Sequence, residues 1–443
     1  MRKILLIGAG RSASSLIKYL LENAEVENWE LTVGDISLDL AKQKINNHPK
    51  ATAIAFDVNN ETLRISEIKQ ADLIISMLPA LMHYTVAKDC VTYKKNLVTA
   101  SYVSKELAAL NDEAVKNGVL LLNEIGLDPG IDHLSAMQVI NNIKKAGGEI
   151  TSFKSHCGGL VAPESNDNPW GYKFSWNPRN VILAGQTTAQ YLHKGKLHFI
   201  PYNRIFTDTE TIEIEGYGKF DAYANRDSLS YIQPYGIENA KTVLRGTLRE
   251  ADFCSKWNCL SSLGITDDTF TIENTNKFTY REFIESFVPS KYNSFEDFLD
   301  KQLHISVSSD KYKAIEWLGI LSGKKITLAK GTPAQILQSL LETKWVLNPL
   351  DKDMIVMQHQ FEYSLKKTHR KITSSLIVKG DDQTYTAMAK TVGLPMAIAT
   401  KLILNNKIKT KGVAIPLTEE FYNPILSELS KREITFNEKD VTK

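Results

Sequence analysis

Cysteine is scarce in this chain of 443 residues: there are four, at Cys90, Cys157, Cys254 and Cys259, and no two form a C-x-x-C pair. That spacing argues against a disulfide framework or a cysteine zinc site, and it fits a reducing, cytoplasmic setting. His83, His156 and His359 also stand apart, so no metal site is expected. An excess of charge of one sign is missing as well. Lys and Arg number 53 against 51 Asp and Glu, a formal net charge of +2, which gives no broad electrostatic case for nucleic acid or a membrane surface. The densest basic run, residues 366–371, has no interleaved aromatics and reads as a solvated strand or turn. No run approaches the roughly 20 apolar residues of a membrane span. The opening MRKILLI is too short for a signal peptide and is ended by Gly8 and Arg11, so it reads as a first strand. Repeats, low-complexity tracts and long linkers are absent.

What is present is an ordinary globular composition, 43% hydrophobic and 23% charged, in a length that suggests roughly two or three domains. The chain opens on an apolar strand that breaks into Gly8-Ala9-Gly10-Arg11-Ser12-Ala13. This fits the G-x-G-x-x-G/A dinucleotide pattern: Gly8 for the tight turn, Gly10 for close approach of a pyrophosphate, Ala13 for helix packing. The following helix N-terminus offers free N–H groups to phosphate. A second apolar strand ends in Gly34-Asp35, where a carboxylate is placed to accept hydrogen bonds from the ribose of NAD. Strands are expected at residues 3–8, 30–34, 52–56, 72–77, 96–100 and 118–123, with helices such as 14–23 and 37–46 between them. The expected fold class is α/β: a doubly wound domain over 1–132 whose ligand sits outside the carboxyl ends of its strands.

The rhythm then changes. Residues 151–160, 196–202, 209–216 and 373–378 read as strands of a mixed sheet. Segments 280–287, 311–321 and 334–343 show helical spacing. The expected division is a substrate domain over 133–249 and 346–385, a mostly helical insertion over 250–345, and a C-terminal segment, 386–443, that packs back on the first domain. Its apolar helix, 386–404, is interrupted near Gly393 and Pro395.

Candidate chemistry follows the strand ends. Asp128, in the turn Leu127-Asp128-Pro129-Gly130, is placed to hold or accept a proton near a nicotinamide; it reads equally as the residue that opens the turn, with Asp132 capping the next helix and His133 packed or capping. Cys157 stands at a strand end before two glycines. The loop 163–176 mixes aromatics, amides and a lysine, a composition suited to gripping a polar small molecule, or else an ordered surface loop with Trp176 in the core. Of three arginines, Arg226, Arg245 and Arg249, the forks of Arg226 and Arg245 would suit a substrate with several carboxylates, although each arginine taken singly reads as a surface or ion-pair residue.

Together these blocks make the sequence recognisable. GAGRSA, IISMLPALMH at 74–83, TASYVS at 99–104, LDPGIDHLSAM at 127–137 and CGGLVAPESNDNPWGYKFSWNPR at 157–179 appear in order. YANRDSL at 223–229, VLRGTLR at 243–249, DMIVMQHQF at 353–361 and TAMAKTVGLPMAIATKLIL at 386–404 follow. The chain resembles the saccharopine reductases, the glutamate-forming saccharopine dehydrogenases. The resemblance implies a reversible, NAD(P)-linked conversion of saccharopine and water to glutamate and 2-aminoadipate semialdehyde, in lysine metabolism. It implies substrate contacts at Ser101, Tyr102, Asp128, Arg226, Arg245, Gly246 and Thr247. Cofactor contacts are implied at Gly8 to Ser12, Asp35, Ile36, Asp57, Val58, Leu78, Leu127, Pro129 and Gly130. A homodimer is compatible with the sequence.

Oxidising a secondary amine requires hydride loss from the adjacent carbon, attack of water on the imine, and protonation of the leaving amine. Asp128 and Tyr102 are the first choices to orient water and amine, with Cys157 a weaker neighbour. The family commonly uses NADP, whose 2′-phosphate calls for cations; Asp35, flanked by Gly34, Ile36 and Ser37, favours NAD, while Arg11 in the glycine turn is a cation that could compensate and the resemblance leaves NADP open. A carboxynorspermidine dehydrogenase-like enzyme of the same fold and a non-catalytic dinucleotide sensor are the rival readings.

Overall fold

The computed structural model describes residues 1–442. Its strands, in chain order, are β1 (Arg2–Ile7), β2 (Trp29–Asp35), β3 (Ala51–Ala55), β4 (Leu73–Ser76), β5 (Asn96–Thr99), β6 (Leu120–Leu122), β7 (Glu149–Val161), β8 (Ala189–His193) and β9 (Lys196–Ile200). They continue with β10 (Thr209–Ile214), β11 (Gly218–Ala224), β12 (Thr242–Glu250), β13 (Ile272–Glu273), β14 (Lys330–Gly331), β15 (Asp353–Leu365), β16 (Thr368–Lys379), β17 (Gly412–Ala414) and β18 (Asn437–Asp440). The chain divides into two compact units. The first comprises Met1–Glu149, Leu365–Thr368 and Leu376–Glu438; the second comprises Ile150–Ser364, His369–Ser375 and the chain end from Lys439.

In the first unit the short apolar runs become β1 to β6, because a parallel strand covered on both faces needs a continuous apolar run. The sheet order is β17-β6-β5-β4-β1-β2-β3, and every pairing is parallel. Six strands were expected; β17 is a seventh, and its Gly-Val-Ala carries no periodicity to announce it. The order reverses between β1 and β4, the switch point at which ligands of this architecture bind. The unit runs to Glu149, past the expected boundary at residue 132, and takes in the helix Ile131–Lys145.

Helix Ala387–Leu404 is continuous through Gly393 and Pro395, not interrupted. By length and composition it could cross a membrane, which corrects the expectation that no run approaches that length, but most of it is buried inside the protein. It packs on helix Ser14–Glu22 so closely that a Cβ on Gly393 would sit 2.8 Å from the Leu16 nitrogen. Each large apolar side chain buried in such a contact contributes about 1.5–3 kcal/mol.

The second unit is built on a nine-stranded mixed sheet with the path β10-β11-β12-β7-β15-β16-β18, and β8 and β9 joined at β12. β12 runs parallel to β7 and antiparallel to β11. β8, β11, β12, β15 and β18 were not expected from the sequence. Residues 250–345 are mostly helical, with Phe253–Leu263, Tyr280–Glu285, Phe295–Leu303, Asp310–Trp317 and Pro333–Lys344, plus the β13–β14 pair. These helices share one apolar core with Trp170, Phe174, Ile182 and Ile205 and belong to the same unit.

That core corrects the reading of the loop 163–176 as a substrate grip. Trp170, Tyr172 and Phe174 are fully buried, and the Trp345 ring lies 5.1 Å from Tyr172 and 5.5 Å from Trp170. Lys173, also buried, is held by Asp167 and Asp351 at 2.8 and 2.7 Å. Trp176 is only partly buried and packs against the cluster.

Candidate active site

The glycine turn is a backbone device. Gly8 has φ +101°, which a residue with a side chain rarely adopts, and its N–H donates to the Gly34 carbonyl at 2.7 Å. A Cβ at Gly10 would meet nothing within 4 Å, so this face of the turn is open. Ala9 and Ala13 are buried, Ser12 half-buried and Arg11 exposed. Asp35 ties the turn to the end of β2: Oδ2 accepts the Ala9 N–H at 2.8 Å, and Oδ1 accepts the Ser37 N–H at 2.9 Å. Ile36 beside it is 82% exposed, an apolar surface left uncovered at the mouth of the strands. An open glycine turn leading into helix Ser14–Glu22, with a fixed carboxylate at the β2 end, fits a dinucleotide.

The remaining candidates of the first unit follow the same strand ends. Asp57, exposed, accepts from the Asn59 backbone and side chain, while buried Val58 gives its carbonyl to Arg64. Leu78 is half-buried after β4. Ser101 and Tyr102 are half-buried after β5, and the Ser101 carbonyl accepts the Glu124 N–H at 3.1 Å.

Asp128 sits half-buried in a turn closed by Gly126 N–H to the Pro129 carbonyl and Ile131 N–H to the Gly126 carbonyl, both 2.9 Å; the Asp128–Pro129 peptide is cis. Gly130 at φ +146° cannot carry a side chain here, since its Cβ would lie 2.1 Å from the Gly126 oxygen. Asp132 does not cap the helix in the usual way; it accepts the Gly130 N–H at 2.6 Å, with Gly130 itself at the N-cap. His133 is fully buried and meets Glu124 at 2.9 Å, while the other Glu124 oxygen accepts the Val103 N–H at 3.1 Å. A carboxylate and an imidazole therefore join the ends of β5 and β6 to the Asp128 turn.

The sequence alone marks His83 only as an isolated histidine and Glu124 only as part of the strand tail 124–128, with no role given to either. Glu124 reaches its place through a left-handed backbone at φ +55°, which no sequence pattern signals. His83 is buried at the start of helix His83–Thr92, between Ser76 at 2.8 Å and Ser101 at 2.7 Å. Its place directly after a strand end and a proline turn was the available signal.

In the second unit, register brings distant segments together. Cys157 on β7 lies opposite Thr247 on β12, His156 opposite Gly246, and Ser155 opposite Arg245. Gly246 is small because a Cβ there would meet the His156 ring at 2.6 Å. The 225–228 turn wraps the start of this block: Asn225 N–H donates to the Arg245 carbonyl at 2.8 Å, and Arg245 N–H to Ser228 Oγ at 2.9 Å. Arg245 is buried, with its guanidinium 4.3 Å from the Tyr231 ring centroid; Arg226 is exposed at φ +48°. Arg249 is neither a surface nor an ion-pair residue. It is buried among the rings of Tyr172, Tyr223 and Phe253, at 5.6 to 5.9 Å. All four cysteines are buried and none is in a disulfide; burial pushes the Cys90 and Cys254 thiols well up and Cys259 to about 12. Among the described residues, no three His, Cys, Asp or Glu side chains cluster to hold a metal ion.

The model of the saccharopine dehydrogenase NADP binding domain matches residues 4–122, and that of the saccharopine dehydrogenase C-terminal domain matches 126–434. The Schizosaccharomyces pombe saccharopine dehydrogenase [NADP(+), L-glutamate-forming] is 36% identical, with 99% of each chain covered. The chain belongs to the saccharopine dehydrogenase family. A solved relative within this family, the apo saccharopine dehydrogenase (L-Glu forming) from Saccharomyces cerevisiae, superposes with a TM-score of 0.88 at 35% identity over 100% of both chains. The bovine mitochondrial alpha-aminoadipic semialdehyde synthase is 34% identical over 100% of this chain, which spans 48% of that longer protein. The homospermidine synthase of Legionella pneumophila shares the fold at 10% identity, with a TM-score of 0.59. The saccharopine dehydrogenase family places a Rossmann-type α/β unit before a mixed-sheet unit, as this chain does, and its members are NAD(P)-dependent oxidoreductases.

Proposed function

We propose that this protein is a glutamate-forming saccharopine dehydrogenase, catalysing saccharopine + NAD(P)+ + H2O ⇌ glutamate + 2-aminoadipate semialdehyde + NAD(P)H + H+ in lysine metabolism. The observation that carries the reading is likeness over the whole length to enzymes named for this reaction.

The bound nicotinamide supplies the hydride acceptor. What the chain adds is position and proton handling. Asp128, held by the Gly126–Gly130 turn, is the group proposed to take the proton from the water that attacks the imine. The Tyr102 hydroxyl is proposed to orient the amine, and Ser101 to hold a carboxylate. Cys157 and Thr247 are paired across β7 and β12 as candidate neighbours, Cys157 the weaker. Gly246 lends backbone in the same block. Arg245 and Arg226 are suited to the substrate carboxylates because the guanidinium fork matches a carboxylate in two hydrogen bonds.

For the dinucleotide, the reading favours NAD, although the family model and the fungal relatives are named for NADP. Two backbone N–H groups fix the Asp35 carboxylate beside the glycine turn, and its neighbours Gly34, Ile36 and Ser37 bring no cation to offset it. A fixed negative charge there repels a 2′-phosphate and suits ribose hydroxyls.

The test is reduced-nicotinamide absorbance with saccharopine, against carboxynorspermidine and lysine as controls and with both dinucleotides. Turnover of saccharopine alone, with a higher kcat/KM for NAD+, is expected. Turnover of carboxynorspermidine instead, or of nothing, overturns the substrate reading; a preference for NADP+ overturns the Asp35 argument.

A further inference from the structure

The Ser101 hydroxyl is not left to rotate. Its backbone is clamped on both sides, by N–H donation to Thr99 Oγ1 at 3.3 Å and by its carbonyl accepting Glu124 N–H at 3.1 Å. Its Oγ lies 2.7 Å from His83 Nε2, and on the far side of the ring Ser76 Oγ lies 2.8 Å from Nδ1. Thr99 Oγ1 stands 3.5 Å from both ring nitrogens, at the limit of a hydrogen bond. One imidazole thus bridges the end of β4 and the residues just past β5.

Burial holds His83 down at about 4, against a partly offsetting contact with the Leu78 carbonyl, so the ring is neutral at ordinary pH. A neutral imidazole has one N–H and one lone pair, so one of its two serines donates to the ring and the other accepts from it. Exposure favours one choice. Ser76 is 1% exposed, and Nδ1 at 2.8 Å is an acceptor for its hydroxyl proton when the ring proton is on Nε2, whereas Ser101 is half-buried and its proton can point outward while Oγ stays on the ring. A buried hydroxyl that found no acceptor would cost about 1–3 kcal/mol.

We propose that His83 is a positioning residue: Ser76 donates to Nδ1, Nε2–H donates to Ser101 Oγ, and the Ser101 proton is thereby presented as a donor to a carboxylate of the substrate. The proposal rests on the saccharopine reading of the site and names how one of its contacts is made directional.

The test uses the full chain and four variants. Asn places its amide near the Nδ1 position of histidine and Gln places its amide near Nε2. H83N therefore keeps the Ser76 side and loses Ser101, while H83Q keeps Ser101. S101A and H83N are expected to raise the saccharopine KM about tenfold or more, the scale of a hydrogen bond to a charged group, with the dinucleotide KM unchanged. H83Q is expected to restore most of it, and H83N/S101A to be no worse than S101A. An H83Q enzyme as impaired as H83N, or multiplying effects in the double variant, overturns the proposal. Ring-nitrogen NMR of the wild-type protein reads the same arrangement without turnover. A neutral ring carrying its proton on Nε2 from pH 5 to 9 is expected; a proton on Nδ1, or titration within that range, overturns it. Wild-type enzyme inert towards saccharopine overturns the functional reading and with it the substrate half of the proposal, and the NMR then decides the hydrogen-bond half alone.

Discussion

The two units hold their candidate residues in different ways. In the Rossmann unit they hang on turns after parallel strands, and buried or half-buried polar side chains tie one turn to the next: Asp35 to Ala9, His83 to Ser76 and Ser101, Glu124 to Val103 and His133. In the mixed-sheet unit Arg245, Gly246, Thr247 and Cys157 lie within strands, aligned by the β7–β12 register and backed by aromatic packing. A turn has no ladder to define it, so side-chain hydrogen bonds must do so. A strand inherits its geometry from its neighbour, so its side chains are left for ligand or packing.

The comparison is most exposed at Glu124. Glu124→Ala takes a hydrogen-bond partner from both the buried His133 ring and the Val103 N–H, at an expected cost of about 1–3 kcal/mol for each buried group, with Glu124→Ala/His133→Ala costing less than the two single changes together. A thermal melt within a degree of wild type would show that the turn does not depend on the pair.

His83 gives the next largest effect, through pH. Its folded value of about 4 lies below the 6.5 of an unfolded histidine. Between those values the unfolded chain binds a proton that the folded chain does not, so stability falls as pH drops from 6.5 towards 4, by up to about 3 kcal/mol. Urea unfolding of the wild type and H83Q across that window checks it; parallel curves for the two proteins would remove His83 from the account.

In the mixed-sheet unit the expected losses are in function rather than in the fold. Arg245→Ala is expected to raise the saccharopine KM roughly 10- to 100-fold, as loss of a charged hydrogen-bonded contact does, with dinucleotide binding unchanged. Arg245→Lys is expected to recover little, since an ammonium lacks the fork. Steady-state kinetics with each substrate varied separates this from a general loss of fold.

The smallest effect belongs to Glu210 on β10. Burial works against its ionisation, but hydrogen bonds from His156 and Lys154 outweigh it and hold the carboxyl at about 2. The stability it contributes is present above about 4.5 and is lost as pH falls through 2. Its side chain is 39% exposed, so solvent screening limits the pair and Glu210→Gln is expected to cost under about 1 kcal/mol at pH 7. A larger loss in chemical denaturation would mean that the mixed sheet also depends on polar ties.

These differences track what could be read in advance. The Rossmann strands were legible because a strand buried on both faces is a continuous apolar run, and because the glycine turn is a local requirement on φ and on open space. β12 was missed because Thr242–Glu250 interleaves two arginines with apolar residues, a pattern that makes sense only with β7, β8 and β11 beside it. Trp170 and Arg249 were misplaced for the same reason: an aromatic and a guanidinium look alike in sequence whether they face a ligand or a core.

By itself the sequence determined the parallel α/β unit, the glycine turn with Asp35, and family membership through ordered blocks, because each is a short-range pattern of residue types. Only the tertiary structure decided that β17 completes the first sheet, that the aromatic loop is core, and that His83 and Glu124 connect the strand ends. Those outcomes depend on which segments become neighbours, and that is set by burial of apolar surface over the whole chain rather than by local spacing.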